Sequence, residues 1–143
     1  LKVMKTNVVG PMLCAKHALR RMARRHGGQG GAIVNVSSVA ARLGSPNEYV
    51  DYAASKGALD TFTLGLAKEV AGEGVRVNGV RPGYIHTGFH ALSGDPDRVA
   101  KLEPELPMGR GGRPEEVAEA ILWLLSDKAS YSTGSFVDLG GGR

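Results

Sequence analysis

Tyr52 and Lys56 stand four residues apart in the stretch YVDYAASKGAL, residues 49–59. On a helix this spacing puts a phenol and an ammonium on one face, with Cβ atoms about 5–6 Å apart. Tyr49 is seven residues from Lys56 and returns to nearly the same face. It does so about 10.5 Å along the axis, so only Tyr52 feels the ammonium directly. A free phenol has a pKa of about 10 and is a poor base at neutral pH. A nearby cation favours the phenolate. Bringing the pKa to about 7 takes roughly 4 kcal/mol, so a second positive charge or strong hydrogen bonds must help. The small residues Ala53, Ala54, Ser55 and Gly57 would let a bulky ligand or another helix approach. Alone, the pair is weak: four tyrosines and seven lysines in 143 residues produce such spacings on ordinary solvated helix faces.

The elements that must position the pair alternate. Val3, Met4, Val8, Met12, Leu13, Leu19 and Met22 recur at helical spacing over residues 2–26, and GGQGG at 27–31 stops that helix. AIVNVSS at 32–38 is β-rich with little alternation, which predicts a strand covered on both faces. A loop with Gly44, Ser45 and Pro46 leads to a helix over 48–72, which carries the pair. GEGVRVNGVRPG predicts a strand over 75–81 and a Pro-Gly turn. Residues 84–112 hold Pro96, Pro104 and Pro107 and no single period; so long a stretch reads as a functional loop with short helices. The helix over 112–130 has Pro114 in its first turn and Glu115 and Glu116 at the positive end of its dipole. Its apolar face is Val117, Ile121, Leu124 and Leu125, and SFVDLGGG at 135–142 is the last strand and its exit. Strands alternating with helices imply crossovers and a parallel sheet, an α/β fold in one domain without repeats.

Ser37 and Ser38 end the first strand, and the ends of parallel strands are where open α/β sheets bind ligands. A hydroxyl there could hold a substrate oxygen, or cap a turn. Successive strand residues point to opposite faces, so one of the two at most does chemistry. His86 and His90 have a metal-like spacing, but Pro82, Gly83 and Gly88 argue against a regular helix and no acidic residue lies between them. Glu103 and Glu105 read as solvated, and GGG at 140–142 lacks the Lys-Ser/Thr of a phosphate loop.

Composition narrows the function classes. The net charge of +4 gathers in RRMARRH at 20–26, where cations suit the negative end of a helix dipole. No aromatic residues interleave to stack on bases, so nucleic acid is not the expected partner. No apolar run approaches 18 residues, and no membrane span is expected. Cys14 is alone and reads as a small buried residue; the composition fits a reducing, cytoplasmic compartment.

NVVG (7–10), IVNVSS (33–38), YAASKGAL (52–59), VRVNGVRPGYIHT (75–87), GRPEEVAEAILWLLS (112–126) and TGSFVDLGGG (133–142) follow one another in this order. Together they resemble the C-terminal part of a short-chain dehydrogenase/reductase, over nearly the whole chain, with bacterial sugar or polyol dehydrogenase-like members the nearest in look. The resemblance implies the C-terminal part of a Rossmann-type doubly wound parallel sheet flanked by helices, with residues 1–143 belonging to one NAD(P)-binding domain. It implies that Tyr52 is the general acid/base, and that Lys56 depresses its pKa and holds the nicotinamide ribose. The cofactor's own positive ring would supply the second charge. By the same likeness Ser38 polarises the substrate oxygen and Asn7, at a helix bend, orders the water of a proton relay. Pro82 and Gly83 match the turn against the nicotinamide, and Ile85 and Thr87 match positions that bind its carboxamide. Ser38 lies 14 residues before Tyr52, one more than the commonest family spacing, which leaves Ser37 as a rival.

The implied cofactor is NAD or NADP, and the implied substrate is a small alcohol or carbonyl compound such as a sugar or polyol. The expected assembly is a homodimer or homotetramer, through helices like those at 2–26 and 48–72. The Gly-rich fingerprint that would take the pyrophosphate does not occur in these residues, so an N-terminal half is expected ahead of Leu1. Without it, AIVNVS would be an open apolar edge, and the strand is expected to have a further partner. The alternative is a non-catalytic fragment that keeps only the assembly surface.

Overall fold

A computed structural model describes residues 1–89 and 94–143. The first helical region begins with α1 (Lys2–Met4), passes through a π-helical turn over Lys5–Val9, and continues as α2 (Gly10–Met22). Strand β1 (Gly31–Val36) follows, then the one-turn helix α3 (Ala40–Leu43) and the long helix α4 (Val50–Val70). Next come β2 (Val75–Pro82), α5 (Arg98–Leu102), α6 (Pro114–Leu125) and β3 (Phe136–Leu139). The strands form one parallel sheet in the order β1-β2-β3, with Gly31 opposite Val75 and Gly79 opposite Phe136.

Helices cover both faces of the central strand. On one side Val75 and Val77 pack with Ala15 of α2 and with Leu66, Ala67 and Val70 of α4. On the other, Arg76 reaches α6 and donates to the carbonyls of Leu124 (2.9 Å) and Ser126 (3.1 Å). A cation there meets the negative end of the helix dipole. Buried Asn78 ties β2 to the segment before β3: its amide donates to Ser132 C=O at 2.8 Å, and its oxygen accepts from Ser135 N–H at 3.1 Å. Gly79 is needed where it stands, because a Cβ would come within 2.5 Å of the Phe136 ring.

Several expectations need correction. Strand β1 is half-buried and not covered throughout, with Val36 48% exposed. It lies at the edge of the sheet and pairs only with β2 among the described residues. Cys14 is exposed, since the inward stripe of α2 runs through Ala15, Leu19 and Met22, one residue around the helix. The loop after β1 contains α3, which no apolar period announced. Among the described residues no helix is long and apolar enough to cross a membrane.

Candidate active site

Helix α4 begins at Val50, two residues later than the sequence pattern suggested. Ser45 and Asn47 both adopt positive φ (46° and 63°) and break the chain ahead of it. Tyr49 therefore stands at the N-cap, ahead of the helix, with its ring 5.8 Å from the Arg98 guanidinium. Tyr52 is inside α4, and the Lys56 Nζ lies 5.6 Å from the centroid of its ring. Both side chains are half-buried. They lie where β1 ends: Lys56 Nζ donates to the Val36 carbonyl at 2.8 Å.

The two serines divide as the alternating faces require. Ser37 is buried, and its hydroxyl points at the Lys56 carbonyl, a long 3.4 Å contact. Ser38 accepts the Ala40 N–H at 3.1 Å, and its hydroxyl is close enough to the Tyr52 phenol to lower that group's pKa. Capping and site contact are thus joined in one residue, and Ser38, not Ser37, neighbours the phenol.

Asn7 lies in the π-helical turn, whose widened ladder bonds Gly10 N–H to Lys5 C=O. Its amide donates to the Ser55 hydroxyl at 3.0 Å, and that hydroxyl donates to the Tyr52 carbonyl at 2.7 Å. Asn7 is thereby fixed to the turn of α4 that carries Tyr52.

The electrostatics depart from expectation in direction. Burial pushes the Tyr52 phenol above its ordinary value, and the Ser38 hydroxyl pulls it part of the way back. Burial likewise pushes the Lys56 ammonium down, against the pull of the Asp60 carboxylate. Lys56 was expected to depress the phenol; the shift instead comes from burial, opposed by Ser38. Tyr52 therefore rests as a neutral phenol at pH 7.

The remaining predicted residues lie at and after the end of β2. Pro82 closes the strand, and Gly83 donates to Leu139 C=O at 3.0 Å. A Cβ on Gly83 would stand 2.9 Å from Gly140 Cα, so close approach of the β3 exit already requires glycine there. Ile85 is buried and pairs with Gly112 in a short parallel bridge. Thr87 is exposed, and its hydroxyl accepts the Phe89 N–H at 3.3 Å.

Sequence reasoning missed three residues. Phe89 brings its ring to 6.4 Å from that of Tyr52, a contact that no local pattern signals. Glu103 is not merely solvated: it accepts from Gly111 N–H and pairs with His86 Nε2, each at 2.9 Å. Asp60 follows Lys56 by four residues, a spacing that could have been read. His90 lies outside the described residues, and among those described no cluster of three metal-ligating side chains occurs. A cavity of about 280 Å³ shares Ile85 with this region, but Tyr52 and Lys56 do not line it.

Comparison with known proteins decides the family. A family model described as Enoyl-(Acyl carrier protein) reductase matches residues 1–143. A crystal structure of a short-chain type dehydrogenase/reductase from Mycobacterium marinum superposes with a TM-score of 0.87 at 38% identity. It covers 97% of this chain and 54% of that one. The chain belongs to the short-chain dehydrogenase/reductase family. Its three-stranded parallel sheet with helices on both faces is accordingly part of the family's Rossmann-type fold. Among curated relatives, an uncharacterized oxidoreductase, YgfF, of Escherichia coli is 65% identical over 142 residues, 99% of this chain and 58% of the relative. A glucose and ribitol dehydrogenase homolog of Oryza sativa subsp. japonica is 42% identical, over 99% of this chain and 48% of the relative. The chain spans about half the length of the curated short-chain dehydrogenase/reductase relatives it matches.

Proposed function

We propose that this chain supplies the proton-transfer side of an NAD(P)-dependent oxidoreductase acting on an alcohol or carbonyl substrate. The observation that carries the reading is the Tyr52 phenol, beside the Lys56 ammonium and next to Ser38, at the carboxyl end of a parallel strand. A neutral phenol is a proton donor. Set beside a carbonyl oxygen, Tyr52 gives its proton as negative charge develops there, and Ser38 holds the same oxygen by its hydroxyl. In the reverse direction Tyr52 must first lose its proton, and Lys56 favours that state.

The donor set suits a nicotinamide nucleotide. Lys56 offers ammonium N–H groups and Tyr52 a hydroxyl, both suited to ribose oxygens. Ile85 and Thr87 follow the end of β2, where a carboxamide would meet backbone and hydroxyl. The nucleotide, NAD or NADP, would accept or deliver the hydride. Asn7, through Ser55, keeps the Tyr52 turn in place and lies where a proton relay would begin. Phe89 narrows the approach to the phenol and helps to exclude water. A sugar or polyol substrate follows from the likeness to the glucose and ribitol dehydrogenase homolog. The family likeness of α2 and α4 supports a homodimer or homotetramer, with the chain as the C-terminal part of one nucleotide-binding domain.

The test is Tyr52→Phe in the complete protein, assayed with NAD and NADP against sugars, polyols and small alcohols. Turnover should fall by about 10²–10⁴-fold, the range for loss of a positioned proton donor, with folding unchanged. Turnover within a few-fold of the parent would overturn the assignment.

A further inference from the structure

Two turns of α4 beyond Tyr52 lies a carboxylate that the proposed reaction does not use. Asp60 is only 8% exposed. One oxygen accepts from Arg81 Nε at 2.8 Å; the other, Oδ1, is buried with no hydrogen-bond partner among the described residues. An idle oxygen on a buried carboxylate costs stability, so an ion pair with Arg81 alone is a poor account of it. Tyr52, Lys56 and Asp60 recur every four residues, one strip of the helix, and Asp60 is the turn next to Lys56. Its negative charge acts on the Lys56 ammonium against the desolvation that would strip the proton away.

The strip continues beyond the helix. Arg81, which immediately precedes Pro82, bonds Asp138 of β3 at 3.3 Å and lies 3.9 Å from the Phe136 ring centroid. Arg42 of α3 bonds the other Asp138 oxygen. Among the described residues, the charged and titratable groups joined to Lys56 along this strip are Tyr52 and Asp60 on its own helix, Arg81 from β2, Asp138 from β3 and Arg42 from α3. Strand β1 contributes the Val36 carbonyl, a neutral acceptor.

We propose that Asp60 is a positioning residue of the Tyr52–Lys56 pair: locked by Arg81, its carboxylate keeps the half-buried Lys56 charged and seated against the end of β1. The proposal rests on the roles given above to Tyr52 and Lys56. Arg81 is then the strut that joins the catalytic strip to the Pro82–Gly83 turn.

The experiment is direct titration of Lys56 by NMR in the complete protein carrying ¹³C/¹⁵N-labelled lysine, with Lys56→Arg identifying the signal. Asp60→Asn is nearly isosteric and keeps an acceptor for Arg81. It should move the Lys56 titration to lower pH, whereas Asp60→Glu, which retains the charge, should leave it near the parent position. The double variant Asp60→Asn, Arg81→Gln removes both buried charges together and keeps the question answerable if the single variant does not fold; Lys56 should again titrate lower. In turnover, Asp60→Asn should reduce kcat about tenfold more than it changes KM for the substrate. Unmoved titration of Lys56 in whichever of the two Asn variants folds, or an equal displacement in Asp60→Glu, would overturn the proposal. The titration needs no turnover, so it stands apart from the Tyr52→Phe result.

Discussion

The wall that carries Tyr52 and the arm that follows β2 are held by different physics. In the wall, α4 is fixed to β1 and to the first helical region largely by buried or half-buried neutral hydrogen bonds, with the Lys56 bond to the Val36 carbonyl the charged exception. Asn35 donates to Thr63 at 2.8 Å, and Asn7 donates to Ser55 at 3.0 Å. In the arm, which runs from Tyr84 to Gly112, ion pairs with exposed partners dominate: His86 with Glu103, Arg98 with Glu48, Lys101 with Asp95, Arg110 with Glu116. Neutral buried bonds are insensitive to salt and costly to break; exposed ion pairs are screened and individually weak.

The largest expected effect comes from breaking the buried polar bonds of the sheet behind the wall. Asn78 makes three hydrogen bonds in a fully buried position, to Ser132 twice and to Ser135. Asn78→Ala leaves the Ser132 carbonyl and Ser135 N–H without partners and should cost roughly 2–4 kcal/mol in denaturant titration. Hydrogen exchange of β2 and β3 should quicken together. A loss below about 0.5 kcal/mol would mean that the sheet behind the wall is not held by its buried polar bonds.

The arm responds instead to acid. Glu116, at the third position of α6, receives Arg110 at 2.7 and 2.9 Å and the Arg113 N–H at 2.8 Å. The Arg110 guanidinium and then the Arg113 N–H hold its carboxyl down at about 2. A depressed folded value contributes stability above the ordinary carboxylate value that is lost as pH falls toward the folded one. Between about pH 4.5 and about pH 2 the start of α6 should loosen while β2 stays protected. Trp123, the single tryptophan, lies on α6 and reports this by fluorescence. Glu116→Gln should remove the acid dependence, and simultaneous loss of α6 and β2 protection would erase the contrast between arm and wall.

How far the sequence revealed this division follows from how local each signal is. Three strands and the main helices were legible because β-branched runs, Pro114 and the Gly breaks act within a few residues. Tyr52 and Lys56 were legible for the same reason, since helix spacing brings them together, whereas the strand end offered Ser37 and Ser38 alike and only the family likeness chose Ser38. The exposure of Cys14 was not, since a helical pattern does not say which of two adjacent small residues faces the sheet. The half-burial of β1 depends on its place at the edge, a property of the whole sheet. Phe89 over Tyr52 and Glu103 on His86 are closed by a loop whose path no period encodes. Tyr49 left the helix because Ser45 and Asn47 take up left-handed conformations, which their types permit but do not announce.

The smallest effect is the sharpest probe of the comparison. Arg98 of α5 pairs with Glu48, which lies in the connection just ahead of α4, so this pair is where arm and wall meet. The Glu48 side chain is 45% exposed, and such pairs contribute about 0.2–1 kcal/mol. Raising salt from about 0.1 to 1 M shortens the screening length from about 10 to 3 Å and should weaken it further. Glu48→Gln should therefore speed amide exchange in Arg98–Leu102 by up to about fivefold and leave β2 unchanged, and high salt should reproduce much of that effect in the parent. If β2 amides answer to Glu48→Gln as strongly as those of α5, the pair is part of the wall. The arm would then be an extension of the core and not a separately held element.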